Sequence, residues 1–207
     1  MERDRKLAHL VGFVIPVIYY LIPREHHRLA VGLMAASTAI FITIDYIRLH
    51  LNPFKSIFVV LFGSMLRRRE FNSLTGGSYL MLASLVSMAV FGGGSFGITP
   101  DQGRGVFIAA ITFLVVGDTL AAFVGISVGR VRVFRKTLEG TTAGLLSCLA
   151  VAWVVSVLPG VDLPLSVGIL GAFSASAIEV LPIEVNDNVV VPIFSGAVMT
   201  IALQFLG

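Results

Sequence analysis

Long apolar runs separated by short polar stretches organise the chain. They cover residues 7–22, 29–47, 74–91, 105–129, 141–158, 163–181 and 189–206. Most approach the roughly 20 residues a helix needs to cross a bilayer, and the first has to extend into its polar flanks. A further run, residues 57–66, is only ten residues long. It is too short to span and is expected to lie in the interface or to re-enter. No run alternates with period two, as a transmembrane barrel would require. The pattern predicts an all-α polytopic membrane protein with about seven transmembrane helices plus one short interfacial or re-entrant helix. No repeat, low-complexity segment or linker divides the chain, so residues 1–207 are expected to form a single integral-membrane domain.

Composition agrees with this pattern. The chain is 56% hydrophobic and 13% charged, where a soluble domain carries about 25% charged residues. Its mean hydropathy is +0.92. The opening M-E-R-D-R-K followed by residues 7–22 resembles a signal peptide in outline. It lacks a small-x-small cleavage site and more spans follow, so it is expected to be a retained first helix.

Charge sets the orientation. If residues 57–66 do not cross, Arg3, Arg5, Lys6, Arg48, Lys55, Arg67, Arg68, Arg69, Arg130, Arg132, Arg135 and Lys136 share one side. Arg24, Arg28 and Arg104 fall on the other, a division of twelve against three. Letting the short run cross would split the basic clusters between the two faces. The positive-inside rule therefore predicts a cytoplasmic N-terminus and an external C-terminus. Nearly all the polar residues capable of chemistry then lie on the cytoplasmic side: Asp45, Glu70, Glu139, Glu179, Glu184, Asp187 and Asn188.

The net charge of +3 and pI near 9.4 do not indicate nucleic acid, because the basic residues sit at helix ends beside the headgroups. The single cysteine, Cys148, forms no internal disulfide, and there is no C-x-x-C pair. The histidines His9, His26, His27 and His50 lack H-E-x-x-H spacing, which argues against zinc chemistry.

Asp118 is the chemically informative residue of the fourth run. An ionised carboxylate in a bilayer-length helix costs roughly 2.5–3.5 kcal/mol on insertion scales, so it faces a cavity, an ion or a partner. Gly117, Ala121, Gly125 and Gly129 recur every fourth residue beside it and form a face suited to close helix packing. The loop that follows, residues 129–139, carries Gly129, Arg130, Arg135, Lys136, Thr137 and Glu139. A lysine and several arginines can hold a triphosphate, with hydroxyl and carboxylate groups free for it or its Mg²⁺. No G-x-x-x-x-G-K-[ST] string is present, so a nucleotide site here is not a P-loop. The segment E-V-L-P-I-E-V-N-D-N-V-V-V-P, residues 179–192, adds Glu179, Asp187 and Asn188. Asp187 and Asn188 also suit a helix N-cap. With Asp118 they form an oxygen set suited to Mg²⁺. Weaker candidates are Arg5 and His9 in R-K-L-A-H, Asp45 and Arg48 in I-D-Y-I-R, and Arg69 and Glu70 ahead of F-N-S-L-T-G-G-S-Y.

In this order the segments resemble the CTP-dependent lipid kinases, the dolichol (polyprenol), phytol and diacylglycerol kinase group related to phosphatidate cytidylyltransferases. The resemblance covers nearly the whole chain, and its core is G-D-T-L-A-A-F-V-G, K-T-L-E-G-T-T-A-G and D-N-x-x-x-P at Asp187, Asn188 and Pro192. Thr137 stands where the family usually has serine. The resemblance implies a helical bundle around a cytoplasm-facing cavity, transferring the CTP γ-phosphate to the hydroxyl of a membrane lipid alcohol. It implies Asp118 as the central metal-binding or catalytic carboxylate, Lys136 and Glu139 at the nucleotide, and Glu179 and Asp187 completing the site. A cytidylyltransferase is the nearest alternative, but the P-G-H-G-G stretch and D-R-x-D motif usual there are missing. A small transporter is the alternative from another class; it predicts matched halves and polar residues spread through several spans. The lipid acceptor and a homo-oligomeric state are left open by the sequence.

Overall fold

The computed structural model describes residues 9–66, 68–183 and 185–206. The protein is mostly helical. After a 3₁₀ turn at Val11–Phe13 come α1 (Val14–Leu21), α2 (His27–His50) and α3 (Asn52–Phe62), then α4 (Gly76–Val90) and α5 (Pro100–Thr112). A π-helical turn, Phe113–Gly117, joins α5 to α6 (Asp118–Val128). Two strands follow, β1 (Arg132–Val133) and β2 (Lys136–Thr137), then α7 (Leu138–Ser156), α8 (Leu165–Val180) and α9 (Asp187–Leu206).

Among the described residues, four segments are long and apolar enough to cross a membrane: Arg24–His50, Pro100–Val128, Leu138–Ser156 and Asp187–Phe205. Val11–Leu21, Gly76–Val90 and Leu165–Val180 are apolar but shorter. By length, four of the seven runs expected to span therefore qualify. Residues 57–62 of the ten-residue run lie in α3, which has eleven residues and is about 16 Å long at 1.5 Å per residue; a 3₁₀ turn, Gly63–Met65, follows.

The α5–π–α6 segment is the hub. Val106, Phe107, Ala109, Ala110, Ile111, Leu114 and Val115 have no exposed surface, and α1, α4, α7, α8 and α9 pack around them. Outward-facing residues of the surrounding helices include Leu33, Ile40, Leu146, Trp153, Phe173, Ile201 and Phe205. That apolar exterior suits lipid rather than water.

Helix starts depart from the hydropathy boundaries because caps, not apolarity, set them. The Thr75 hydroxyl accepts from Ser78 N, and Thr99 with Gln102 forms a capping box ahead of Pro100. Thr137 accepts from Gly140 N. Each satisfies a backbone N–H that the first turn leaves unpaired. The all-α expectation needs one correction: β1 and β2 pair antiparallel, with Arg132 opposite Thr137 and Val133 opposite Lys136. The alternating V-R-V-F-R-K-T string supports this hairpin, and its turn holds Phe134 at φ +52°.

Hydrogen bonds between distant loops sort the helix ends into two groups. At one end Tyr19 bonds Gly92 O, Tyr20 bonds Pro159 O, and Arg24 pairs with Asp101. At the other, Asn188 bonds Gly76 O, Asp45 bonds Thr75, and Lys136 meets Asp118 and Glu179.

Candidate functional site

Three segments far apart in sequence converge on Lys136. Asp118 follows the π turn directly; such turns are rare and re-aim side chains, often at functional sites. Glu179 lies in the last turn of α8, and Lys136 opens β2. The Lys136 Nζ donates to Asp118 Oδ1 at 3.1 Å and to the carboxylate of Glu179. Asp118 and Glu179 are buried, 7% and 6% exposed. Burial by itself pulls the Lys136 pKa down, but the charges of Glu179 and Asp118, with their hydrogen bonds, outweigh it and raise the value. The side chain is an ammonium paired with two acids.

The hairpin that carries Lys136 is fastened at both sides. The Arg135 guanidinium donates to Leu181 O at 3.1 Å and Ile183 O at 3.2 Å, and pairs with Asp187 at 3.5 Å. On the opposite side it leans on the small-residue face of α6. A Cβ on Gly129 would lie 2.7 Å from both Thr137 Cγ2 and Oγ1, and one on Gly125 would lie 2.9 Å from Thr137 Oγ1. Further along, Gly117 faces Cys148 and Ala121 faces Gly144. The four-residue spacing is thus a packing ridge between α6 and α7, and it sets how close Lys136 comes to Asp118.

The remaining expected site residues divide. Glu139 accepts from Val131 N at 3.3 Å, a contact that braces the hairpin. Arg130 is at the surface. Asp187 is engaged by Arg135. Asn186, rather than the Asp187–Asn188 pair, caps α9: its side chain accepts from Asn188 N at 3.0 Å. Asn188 is then free to turn its amide to Gly76 O at 2.8 Å. Asp45 and Arg48, 2% and 0% exposed, form a buried ion pair at 2.8 Å. Arg48 also donates to Glu70 O and Ser73 O, and Asp45 accepts from Thr75 and Ser78. The sequence candidates Asp45 and Arg48 therefore anchor the 70–78 segment. Arg5 and the Arg69 side chain lie outside the described residues.

Among the described residues, no three His, Cys, Asp or Glu side chains gather as a metal site. Asp118, Glu179 and Asp187 do not gather as one set among the described residues: Asp187 pairs with Arg135, while Asp118 and Glu179 share Lys136. Two carboxylates fit a Mg²⁺ that brings nucleotide phosphates as further ligands; they do not fit a protein-only three-carboxylate site.

Asp118 also borders a cleft of about 560 Å³, within the roughly 300–1,000 Å³ of sites that hold small molecules. Its polar end comprises Asp118, Asn188, Glu70, Thr75, His9 and Asp45; its walls include Phe41, Phe54, Phe58, Phe62 and Leu80. The aromatic wall from α3 and the T-G-G-S turn at residues 75–78 are what sequence reading missed. The turn carries an N-cap signature, but nothing local links it to Asp45.

The chain is similar to the uncharacterized protein RP860 of Rickettsia prowazekii (strain Madrid E), 25% identical over 198 residues, covering 93% of this chain and 90% of that protein. No protein-family model matches the chain, and no solved structure matches it.

Proposed function

We propose that the protein is a membrane-embedded kinase that transfers the γ-phosphate of CTP to the hydroxyl of a membrane lipid. The observation that carries the reading is the double position of Asp118. It touches Lys136 in a charged cluster and borders an apolar cleft. A charged phosphate donor and an apolar acceptor with one polar end can meet at that carboxylate. The motif resemblance supplies the nucleotide, and the twelve-to-three division of basic residues supplies a seven-span topology with the site facing the cytoplasm.

Phosphoryl transfer requires in-line positioning and neutralisation of phosphate charge more than covalent chemistry. In this reading the Lys136 ammonium exchanges a carboxylate contact for the β- and γ-phosphate oxygens. The lipid hydroxyl enters at the Asp118 and Asn188 end of the cleft. Its oxygen bonds to the γ-phosphorus, the bond to the β-phosphate bridging oxygen breaks, and CDP leaves with that electron pair. Asp118 takes the hydroxyl proton. Mg²⁺, held by Asp118, Glu179 and the phosphates, would supply further charge neutralisation. Arg135 and Glu139 act by holding the hairpin.

The test is purified protein with Mg²⁺ and CTP labelled separately on the α- and γ-phosphates, offered a polyprenol, phytol, diacylglycerol and phosphatidic acid. Label entering lipid only from the γ position supports the kinase. Entry from the α position makes the protein a cytidylyltransferase. No transfer from either position overturns the enzyme reading and brings transport forward.

A further inference from the structure

At the end of the bundle opposite Lys136 lies a cavity of about 150 Å³, bordered by Tyr19, Arg24, His27, Gly92, Gly93 and Arg104. A single water needs only about 10–15 Å³ of such space, so a small polyatomic ion has room. Arg104 is the informative member. It is 8% exposed, and a buried cation normally has an anion beside it. Among the described residues it has no ion pair: Asp101, one turn earlier on α5, is taken by Arg24 and does not border the cavity. Arg104 Nη2 donates to Tyr19 O, Tyr20 O and Ile22 O at the C-terminal end of α1. A helix end supplies only roughly half a negative charge, and these bonds occupy one of three nitrogens. Arg104 Nε is buried with no partner. The Tyr19 and Tyr20 rings, 5.7 and 5.6 Å from the guanidinium carbon, ease its burial without neutralising its charge.

His27 supplies the second feature. The Tyr19 hydroxyl has one proton and gives it to Gly92 O at 2.9 Å. The 2.9 Å contact between Tyr19 Oη and His27 Nδ1 must then use a ring proton. Neutral His27 therefore carries its lone pair on Nε2, which has no partner among the described residues. We propose that this cavity binds a phosphate group, its anionic oxygens held by Arg104 with Arg24 at the mouth and an O–H of the same ligand donated to His27 Nε2. Guanidinium groups suit phosphate oxygens, and the two walls together ask for charge and a hydroxyl in one ligand. Free hydrogenphosphate meets that demand, as does a phosphatidylglycerol headgroup, whose glycerol brings the hydroxyl; chloride meets only half of it. No residue of this cavity borders the Asp118 cleft, so the inference is independent of the kinase reading.

Diethyl pyrocarbonate tests it, because the reagent attacks an unprotonated ring nitrogen such as His27 Nε2. The full chain in phosphate-free maltoside micelles is treated at neutral pH, and the modified histidines are located by tandem mass spectrometry. His26, exposed and next in sequence, is the internal control. Inorganic phosphate, compared with sodium chloride at equal ionic strength, should slow modification of His27 about tenfold and leave His26 unchanged. Arg104→Lys keeps a cation for the α1 carbonyls but loses the guanidinium edge, and should raise the half-protecting phosphate concentration about tenfold. Arg24→Gln, at a side chain that is 56% exposed, should raise it about threefold. Thermal unfolding checks both variants, and if Arg104→Lys does not fold, Arg24→Gln carries the comparison. Protection by dioctanoyl phosphatidylglycerol below the inorganic phosphate concentration, and not by the matching phosphatidylcholine, would name a lipid headgroup. Protection by inorganic phosphate alone would name the free ion. No protection of His27 by either, equal protection by chloride, equal slowing at His26, or protection unaltered in the folded arginine variants would overturn the site. Turnover plays no part in the readout, so loss of the kinase reading would leave the result standing.

Discussion

Lys136 Nζ lies 3.1 Å from Asp118 Oδ1 and bonds Glu179 with the same ammonium. One cation thus serves two buried acids. Asp118→Asn leaves a neutral Lys136–Glu179 pair, so the protein should insert and fold with little loss of stability while turnover is abolished. Phosphate transfer and thermal unfolding, measured on the same sample, check this. Retained turnover would remove Asp118 from the chemistry.

Lys136→Ala has a different signature. It strands two carboxylates in a buried site, and breaking a buried ion pair costs about 3–5 kcal/mol. Apparent nucleotide affinity should fall as well; if it is unchanged, Lys136 does not bind the phosphates. Because the folded-state pKa of Lys136 is raised, its contribution to stability is complete below the ordinary lysine value of 10.5. It is lost as pH rises through the higher folded value. Unfolding followed into the alkaline range should show that loss in the natural protein and not in Lys136→Ala.

Asp45 and Arg48 should behave as scaffold. Arg48→Met leaves Asp45 buried with hydroxyl and amide partners but no cation, and it releases the carbonyls of Glu70 and Ser73. Destabilisation of about 3–5 kcal/mol is expected. The double variant Asp45→Asn with Arg48→Met should lose less than the sum of the singles, since they share one network. Additive losses would show that the two residues do not act as a pair.

These contrasts mark how far the sequence could be read. Asp118 and Glu179 stand out because charge is costly inside apolar helices, Lys136 because it sits in the basic loop that follows Asp118, and the fold unites the three. Asp187 and Glu139 share the same motifs, yet in this structure Asp187 pairs with Arg135 and Glu139 accepts from Val131 N. Motif position does not tell which way a side chain turns when Arg135 and Val131 N compete for the acids. The Asp45 partners Thr75 and Ser78 were invisible for a related reason: their contact spans thirty residues or more and has no periodic signal. Hydropathy located the helices but missed the π turn before Asp118, since a single wide turn leaves the apolar pattern intact.

Glycine positions give a packing test. At Gly140 a Cβ would come within 2.5 Å of Ala121 O, a backbone atom that cannot swing away. Gly140→Ala should push α7 off α6, destabilise by about 1–3 kcal/mol and displace Lys136. At Gly32, inside α2, an added Cβ meets nothing within 4 Å, so Gly32→Ala should be neutral or stabilise by up to about 1 kcal/mol. Thermal unfolding of the two variants separates these cases; equal effects would refute the close α6–α7 contact.

The orientation is open to direct chemical test at the hairpin. Cys148 is the only cysteine and is 2% exposed, so an impermeant thiol reagent should leave the natural protein unlabelled. Arg132, by contrast, is exposed on β1, close to the Lys136 cluster through the β1–β2 pairing. Arg132→Cys should react in inverted vesicles, whose cytoplasmic face is outward, and stay unlabelled in intact cells until they are opened. Labelling of intact cells would turn the protein over in the membrane. The charged cluster would then face a compartment without cytosolic nucleotide, and the kinase reading would lose its donor.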